Sequence, residues 1–283
     1  MVLLRNSLSD RKVGLALSGG AARGLAHIGV LEILEKEGIP VSMIAGTSIG
    51  AIVGAMYAQG NNAGRIKEVA LDLGWKELAR MFALTPSKTG LLSGRKIKAR
   101  LKELIGEADF ADLKIPFACV ATDIITGEEV VIQHGPVLEA VVASMSLPVI
   151  FKAARWHGRF LVDGGVVNPV PVSVLKDMEA DFIIASNVIT KPADRVQNTQ
   201  QVADMQNHIG KEKEPNILDI MMQFVNITYY QAVKYGIAGA DVVIEPEVAH
   251  IGFTDFKNAR ECISRGESAA QASMAEIKRL LAG

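Results

Sequence analysis

A chain of 283 residues with 49% hydrophobic and 22% charged residues is long enough to bury a sizeable core and too apolar to be disordered. The balance of 30 Lys+Arg against 31 Asp+Glu gives a net charge of −1, which excludes a large cationic field for nucleic acid. Cys119 and Cys262 lack CxxC spacing, so neither a disulfide framework nor a metal site is expected, and the cytoplasm is the expected compartment. Residues 1–10 hold too short an apolar patch for a secretory signal. No apolar run reaches spanning length, so any contact with a membrane is expected to be peripheral.

In chain order, the apolar run 13–17 predicts a buried strand ending at Ser18-Gly19-Gly20. Leu25, Ile28, Leu31, Ile33 and Leu34 recur at helical spacing until Gly38 and Pro40 stop the pattern. Residues 41–45 predict a second strand, and 49–58 a helix of small residues closed by Gly60. Strand, glycine turn and helix, twice over, predict an α/β domain with a largely parallel sheet. Residues 61–113 carry helical patterns broken by Pro86, Gly90 and Gly94, with 87–94 expected as an exposed loop. Residues 117–123 and 129–133 predict a strand pair around Thr126-Gly127, and 137–146 a helix that ends before Pro148. Further strands are expected at 159–162, 182–187 and 242–244.

The polar stretch at about 190–215 has no apolar periodicity and is expected to be a mobile excursion. An amphipathic helix over 216–235 follows, with Ile217, Ile220, Met221, Phe224, Ile227 and Tyr230 on one side. Its apolar side is expected to face the core, the alternatives being that it covers a substrate groove or touches a membrane. With no repeat and no composition break, residues 10–283 are expected to form one domain.

Three glycine turns carry the chemistry. Gly46-Thr47-Ser48-Ile49-Gly50 sits between a strand and a helix, where flanking glycines permit the sharp turn of a nucleophile elbow. A plain N-cap serine is the alternative. Ser18-Gly19-Gly20-Ala21-Ala22-Arg23-Gly24 also opens a helix and presents backbone N–H groups in one direction. Leu25-Ala26 replaces the Lys-[Ser/Thr] of an NTPase loop, and Ala21 replaces the middle glycine of a dinucleotide fingerprint. An oxyanion hole made by N–H groups from Gly19 to Ala22 is the remaining use, with Gly19, Gly20 and Ala21 as the chosen donors. Arg23 braces the loop, meets a substrate phosphate, or is an ordinary surface arginine. The third turn, Asp163-Gly164-Gly165, follows a strand and places an acid where another loop approaches closely, unless it is a plain turn.

A Ser-His-Asp triad in the α/β-hydrolase chain order needs a histidine after the acid, which leaves His208 and His250. His208 lies in the polar excursion. His27 is expected to pack beside the glycine loop, and His134 and His157 to be solvated. No histidine has a distinguishing neighbourhood, so a Ser-Asp dyad stands beside the triad.

Taken together, the ordered segments Leu17-Ser18-Gly19-Gly20, Arg23 to Leu31, Gly46-Thr47-Ser48, Ala143 to Pro148 and Asp163 to Pro169 resemble the patatin-like phospholipases, including the catalytic domain of neuropathy target esterase. The likeness runs from about residue 13 to 172. It implies a three-layer α/β/α sandwich with a largely parallel central sheet, and a Ser-Asp dyad of Ser48 and Asp163. It further implies the glycine loop as oxyanion hole, and hydrolysis of acyl esters of phospholipids or lysophospholipids without metal or organic cofactor. The family's loop usually has glycine where this chain has Ala21, whose methyl group disfavours positive φ. That departure keeps open a protein that retains the fold for binding or regulation. A soluble carboxylesterase or thioesterase using His250 is the other alternative.

Overall fold

The computed structural model describes residues 11–72, 95–192 and 217–282. The expected loop at 87–94 and most of the polar excursion lie outside them. The chain opens on β1 (Val13–Leu17), a 3₁₀ turn at Ala21–Leu25 and α1 (Ala26–Lys36). Next come β2 (Met43–Thr47), α2 (Ile49–Ala58), α3 (Ala63–Asp72) and α4 (Arg95–Ile105). Then follow β3 (Phe117–Asp123), β4 (Glu129–Ile132), α5 (Val137–Ser144), β5 (Ala154–Trp156) and β6 (Arg159–Asp163). After α6 (Val172–Asp177) and β7 (Phe182–Ser186), the chain ends with α7 (Ile217–Gly236), β8 (Val242–Ile244) and α8 (Ala259–Ala282).

β2 begins two residues later than its apolar run predicts. Met43 is the first residue with a ladder partner, Gly14, while Val41 and Ser42 form a half-buried approach to the sheet. α5 likewise stops at Ser144, short of the predicted 146. The Ser146 carbonyl instead accepts the N–H of Asp163, tying this turn to the end of β6.

The eight strands form one mixed sheet with pairing order β5-β6-β3-β2-β1-β7-β8, and β4 also on β3. The pairs from β3 through β2, β1 and β7 to β8 are parallel, and their strands are buried apolar runs, as sheets covered on both faces require. Helices cover both faces. On β1, Leu17 points towards Gly54 of α2, whereas Gly14 on the opposite side meets Leu175 of α6. This is an α/β/α arrangement.

One detail of register positions the site. Val120 of β3 pairs with both Thr47 and Val131, and Ala121 pairs with both Val130 and Asp163. A residue has one partner on each side, so β4 occupies one edge of β3 while β2 and β6 share the other. β2 runs parallel to β3 and β6 antiparallel, so their C-terminal ends meet head to head beside Val120 and Ala121.

The helix at the predicted 216–235 forms, but its expected inward side is wrong. Ile217, Ile220, Met221, Phe224 and Ile227 are 42–69% exposed, whereas Val225, Tyr229 and Val233 are buried. The sequence holds two apolar stripes on one helix, and the fold buries the narrower one, spaced by four residues.

Candidate active site

Ser48 follows the last residue of β2 and precedes α2. Its backbone, at φ 56 and ψ −118, is a strained conformation for a non-glycine residue. The turn is tight enough that a Cβ on Gly50 would sit 2.2 Å from the Leu17 carbonyl oxygen, and one on Gly46 would strike the Gly50 carbonyl at 2.5 Å. Crowding therefore dictates both glycines. The Ser48 N–H donates to Ser144 Oγ at 2.9 Å, and Thr47 Oγ1 donates to the Asn168 carbonyl at 2.9 Å, which clamps the elbow from two directions. Its side chain caps nothing, so the plain N-cap role is not met. Ser48 is 8% exposed.

The glycine loop lies beside it: a Cβ on Gly19 would stand 3.6 Å from the Ser48 Cβ. Gly20 has φ 143 and Ala21 φ 49, so this turn does demand positive φ and Ala21 adopts it despite its methyl group. Left-handed backbone costs an L-residue roughly 1–2 kcal/mol. Gly19 N–H donates to the Pro169 carbonyl and Ala22 N–H to the Phe253 carbonyl. The N–H groups of Gly20 and Ala21 have no partner among the described residues. Gly24 lets the loop approach α2, since a Cβ there would meet Ile49 Cγ2 at 2.2 Å. Arg23 is not a surface arginine. It is 1% exposed, and its Nη1 donates to Thr190 Oγ1 at 2.6 Å, which braces the loop against the chain leaving β7.

His27 packs beneath the same loop. Its Nε2–H donates to the Ser18 carbonyl at 2.9 Å, because a carbonyl only accepts, and Nδ1 therefore accepts from Ser186 Oγ at 2.8 Å. Complete burial holds its pKa down to about 4, against the opposing pull of the Ser18 carbonyl.

Asp163 ends β6 and is fully buried. Its Oδ1 accepts the Gly165 N–H at 2.8 Å, while Oδ2 has no hydrogen bond of standard geometry. Burial pushes its pKa up to about 6, and Ser48, the Gly165 N–H and Tyr229 each pull it back down. Gly164 passes so near β3 that a Cβ would meet the Val120 carbonyl oxygen at 2.2 Å. The fold thus brings together the serine of the first glycine turn, the loop of the second and the acid of the third.

The histidines fall elsewhere. His250 Nε2 pairs with Glu261 Oε1 of α8 at 2.8 Å, His134 and His157 are exposed, and His208 lies outside the described residues. The open cleft of about 1140 Å³ that His250 lines, with Thr190, Lys191, Tyr230 and Arg265, contains neither Ser48 nor Asp163. The apolar segment after α5 joins the core through Met145, Leu147, Ile150 and Phe151. Sequence reasoning missed Tyr229, assigning the inward position to its neighbour Tyr230. It also missed the hydroxyl of Ser144, although both residues lie in segments that it singled out.

The family model described as patatin-like phospholipase matches residues 15–176. An uncharacterized NTE family protein of Mycobacterium bovis is 37% identical over 185 residues, which is 64% of this chain and 50% of that protein. Lysophospholipase NTE1 of Scheffersomyces stipitis is 29% identical over 268 residues, or 89% of this chain and 17% of that protein. The chain therefore spans half or less of the length of these relatives. Among solved structures, VipD from Legionella pneumophila aligns over 93% of this chain and 67% of its own, with a TM-score of 0.49 and 15% identity.

Proposed function

The chain belongs to the patatin-like phospholipase family, and from that premise we propose that it is a serine acyl hydrolase acting on fatty-acyl esters of phospholipids or lysophospholipids through a Ser48–Asp163 dyad. The observation that carries this reading is the meeting of β2 and β6 on one edge of β3. A strained serine thereby stands beside a buried carboxylate whose Oδ2 has no hydrogen bond of standard geometry. A carboxylate titrating at about 6 is mostly ionised at neutral pH, yet is a stronger base than an ordinary aspartate.

Asp163 takes the Ser48 proton as Oγ attacks the acyl carbonyl. The negative oxygen of the tetrahedral intermediate is held by the N–H groups of Gly20 and Ala21. Gly19 contributes by its closeness to Ser48 rather than as a donor, because its N–H is given to Pro169. Collapse expels the alcohol, which leaves with the proton from Asp163. Water then gives a proton to the same carboxylate and attacks the acyl-serine, releasing the fatty acid and restoring Ser48. Arg23, Gly24, Gly46, Gly50, Gly164 and Gly165 hold these pieces in register. No metal or organic cofactor takes part. The substrate is met at a lipid surface by the exposed stripe of α7, whose opposite side reaches the Asp163 turn through Tyr229.

The test profiles lysophospholipids, diacyl phospholipids and a short chromogenic ester side by side, with fluorophosphonate labelling of Ser48. Ser48→Ala and Asp163→Asn are expected to lower turnover by about 1000-fold or more with the fold intact, and His250→Ala to leave it near normal. Turnover retained in Asp163→Asn would sink the dyad. Loss in His250→Ala would return the triad.

A further inference from the structure

The two oxygens of Asp163 are treated differently. Oδ1 is satisfied by Gly165, but Oδ2 is buried without a hydrogen bond of standard geometry, and so is the phenol oxygen of Tyr229. Buried polar atoms seldom stay unpaired, and two such atoms buried side by side call for a common explanation. Tyr229 projects from α7, is 4% exposed and lays its ring on the turn after Asp163. A Cβ on Gly165 would stand 2.4 Å from its Cε2 and 2.6 Å from its Cζ, the atom that bears the hydroxyl. The glycine at 165 is thus the space the ring occupies, and the phenol end lies at the carboxylate.

We propose that Tyr229 is a positioning residue for the Asp163 base: its hydroxyl donates to Oδ2 of the ionised carboxylate, steering that oxygen towards Ser48 and setting the pH at which the base becomes competent. The proposal rests on the Ser48–Asp163 reading. Tyr229 itself is kept protonated, since burial and the neighbouring carboxylate both raise its pKa well above the ordinary tyrosine value. A neutral phenol beside a carboxylate has only one role to play, that of donor. Donation favours the charged form and lowers the acid's pKa, while burial raises it. The titration of Asp163 is therefore a balance between desolvation and a hydroxyl supplied by a helix outside the segment that the family model matches.

Tyr229→Phe keeps the ring against Gly165 and removes only the hydroxyl. The readout is the rate of Ser48 labelling by a fluorophosphonate as pH is varied, which follows ionisation of the base without any lipid substrate. In the unaltered protein the rate is expected to rise with a midpoint near 6, and this limb should vanish in Asp163→Asn. In Tyr229→Phe the midpoint is expected to move up by about one pH unit, making labelling about 10-fold slower on the acid side while the plateau is kept. An unmoved midpoint overturns the proposal, whether the rate is unchanged or uniformly lower, because a merely structural tyrosine would act equally at every pH. If the unaltered protein shows no Asp163-dependent limb, the dyad reading falls and takes this one with it. If the limb is present and indifferent to Tyr229→Phe, only the tyrosine's role falls.

Discussion

His27 and Asp163 are both fully buried, and they tilt stability in opposite directions with pH. The native histidine refuses a proton down to about 4, whereas the unfolded one accepts it at its ordinary 6.5, so stability is lost as pH falls between those values. The native Asp163 holds its proton up to about 6, against an ordinary 3.8, so its contribution falls as pH rises through that window. From pH 6 to 4 the two slopes largely cancel. Asp163→Asn removes one of them. It is expected to raise stability at neutral pH by about 1–3 kcal/mol and to expose the histidine's loss on acidification, both readable in urea unfolding. A less stable variant at neutral pH would mean that the carboxylate is not a desolvated charge. At this scale the sequence was informative where chemistry is local. The serine between two glycines and the acid before two others could be read directly, as could the methyl group of Ala21 at a position needing positive φ. The partners that tune these groups, Ser144 for the elbow and Tyr229 for the acid, come from distant segments, and no short pattern marks them.

Among the elements, α7 shows where periodicity misleads. Ile217, Ile220, Met221, Phe224 and Ile227 make the broader apolar stripe, and pattern alone assigns the broader stripe to the core. The turn it packs on, Gly164–Val166, is small, and the helix seats itself by the ring of Tyr229 with Val225 and Val233 in line. Strands were easier to place because a buried parallel strand is a plain apolar run, although β5, short and partly exposed, escaped prediction. Even β2 was displaced by only two residues, a slip set by ladder partners that a single strand does not reveal. The exposed stripe has an energetic meaning, since each large apolar side chain withdrawn from water contributes about 1.5–3 kcal/mol. Replacing Ile220 and Phe224 by Asp is expected to weaken sedimentation with phosphatidylcholine–phosphatidylglycerol vesicles by at least ~10-fold. Hydrolysis of a monomeric short ester should stay unchanged. Equal vesicle binding by the variant would remove the lipid surface as the partner of this helix.

For the whole molecule, the alternation of strands and helices made the sheet's class legible, but not the arrangement that matters most. That β4 takes one edge of β3, leaving β2 and β6 to meet end to end on the other, depends on pairings between segments far apart in the chain. The sequence motifs mark Ser48 and Asp163 as the groups of the proposed dyad; only the register of β3 explains why they are neighbours. This has a consequence for how the protein matures. The elbow is held by Ser144, 96 residues away, and by Asn168, 121 residues from Thr47. Contacts closing loops of that length form late, and chains of this size commonly pass through collapsed intermediates. On dilution from denaturant, far-UV ellipticity should recover first, and Ser48 should become reactive towards fluorophosphonate only after a lag. Simultaneous recovery would contradict this order. On the proposed reading, a half-made chain carries no armed serine, and hydrolysis waits until the last long-range contact has docked.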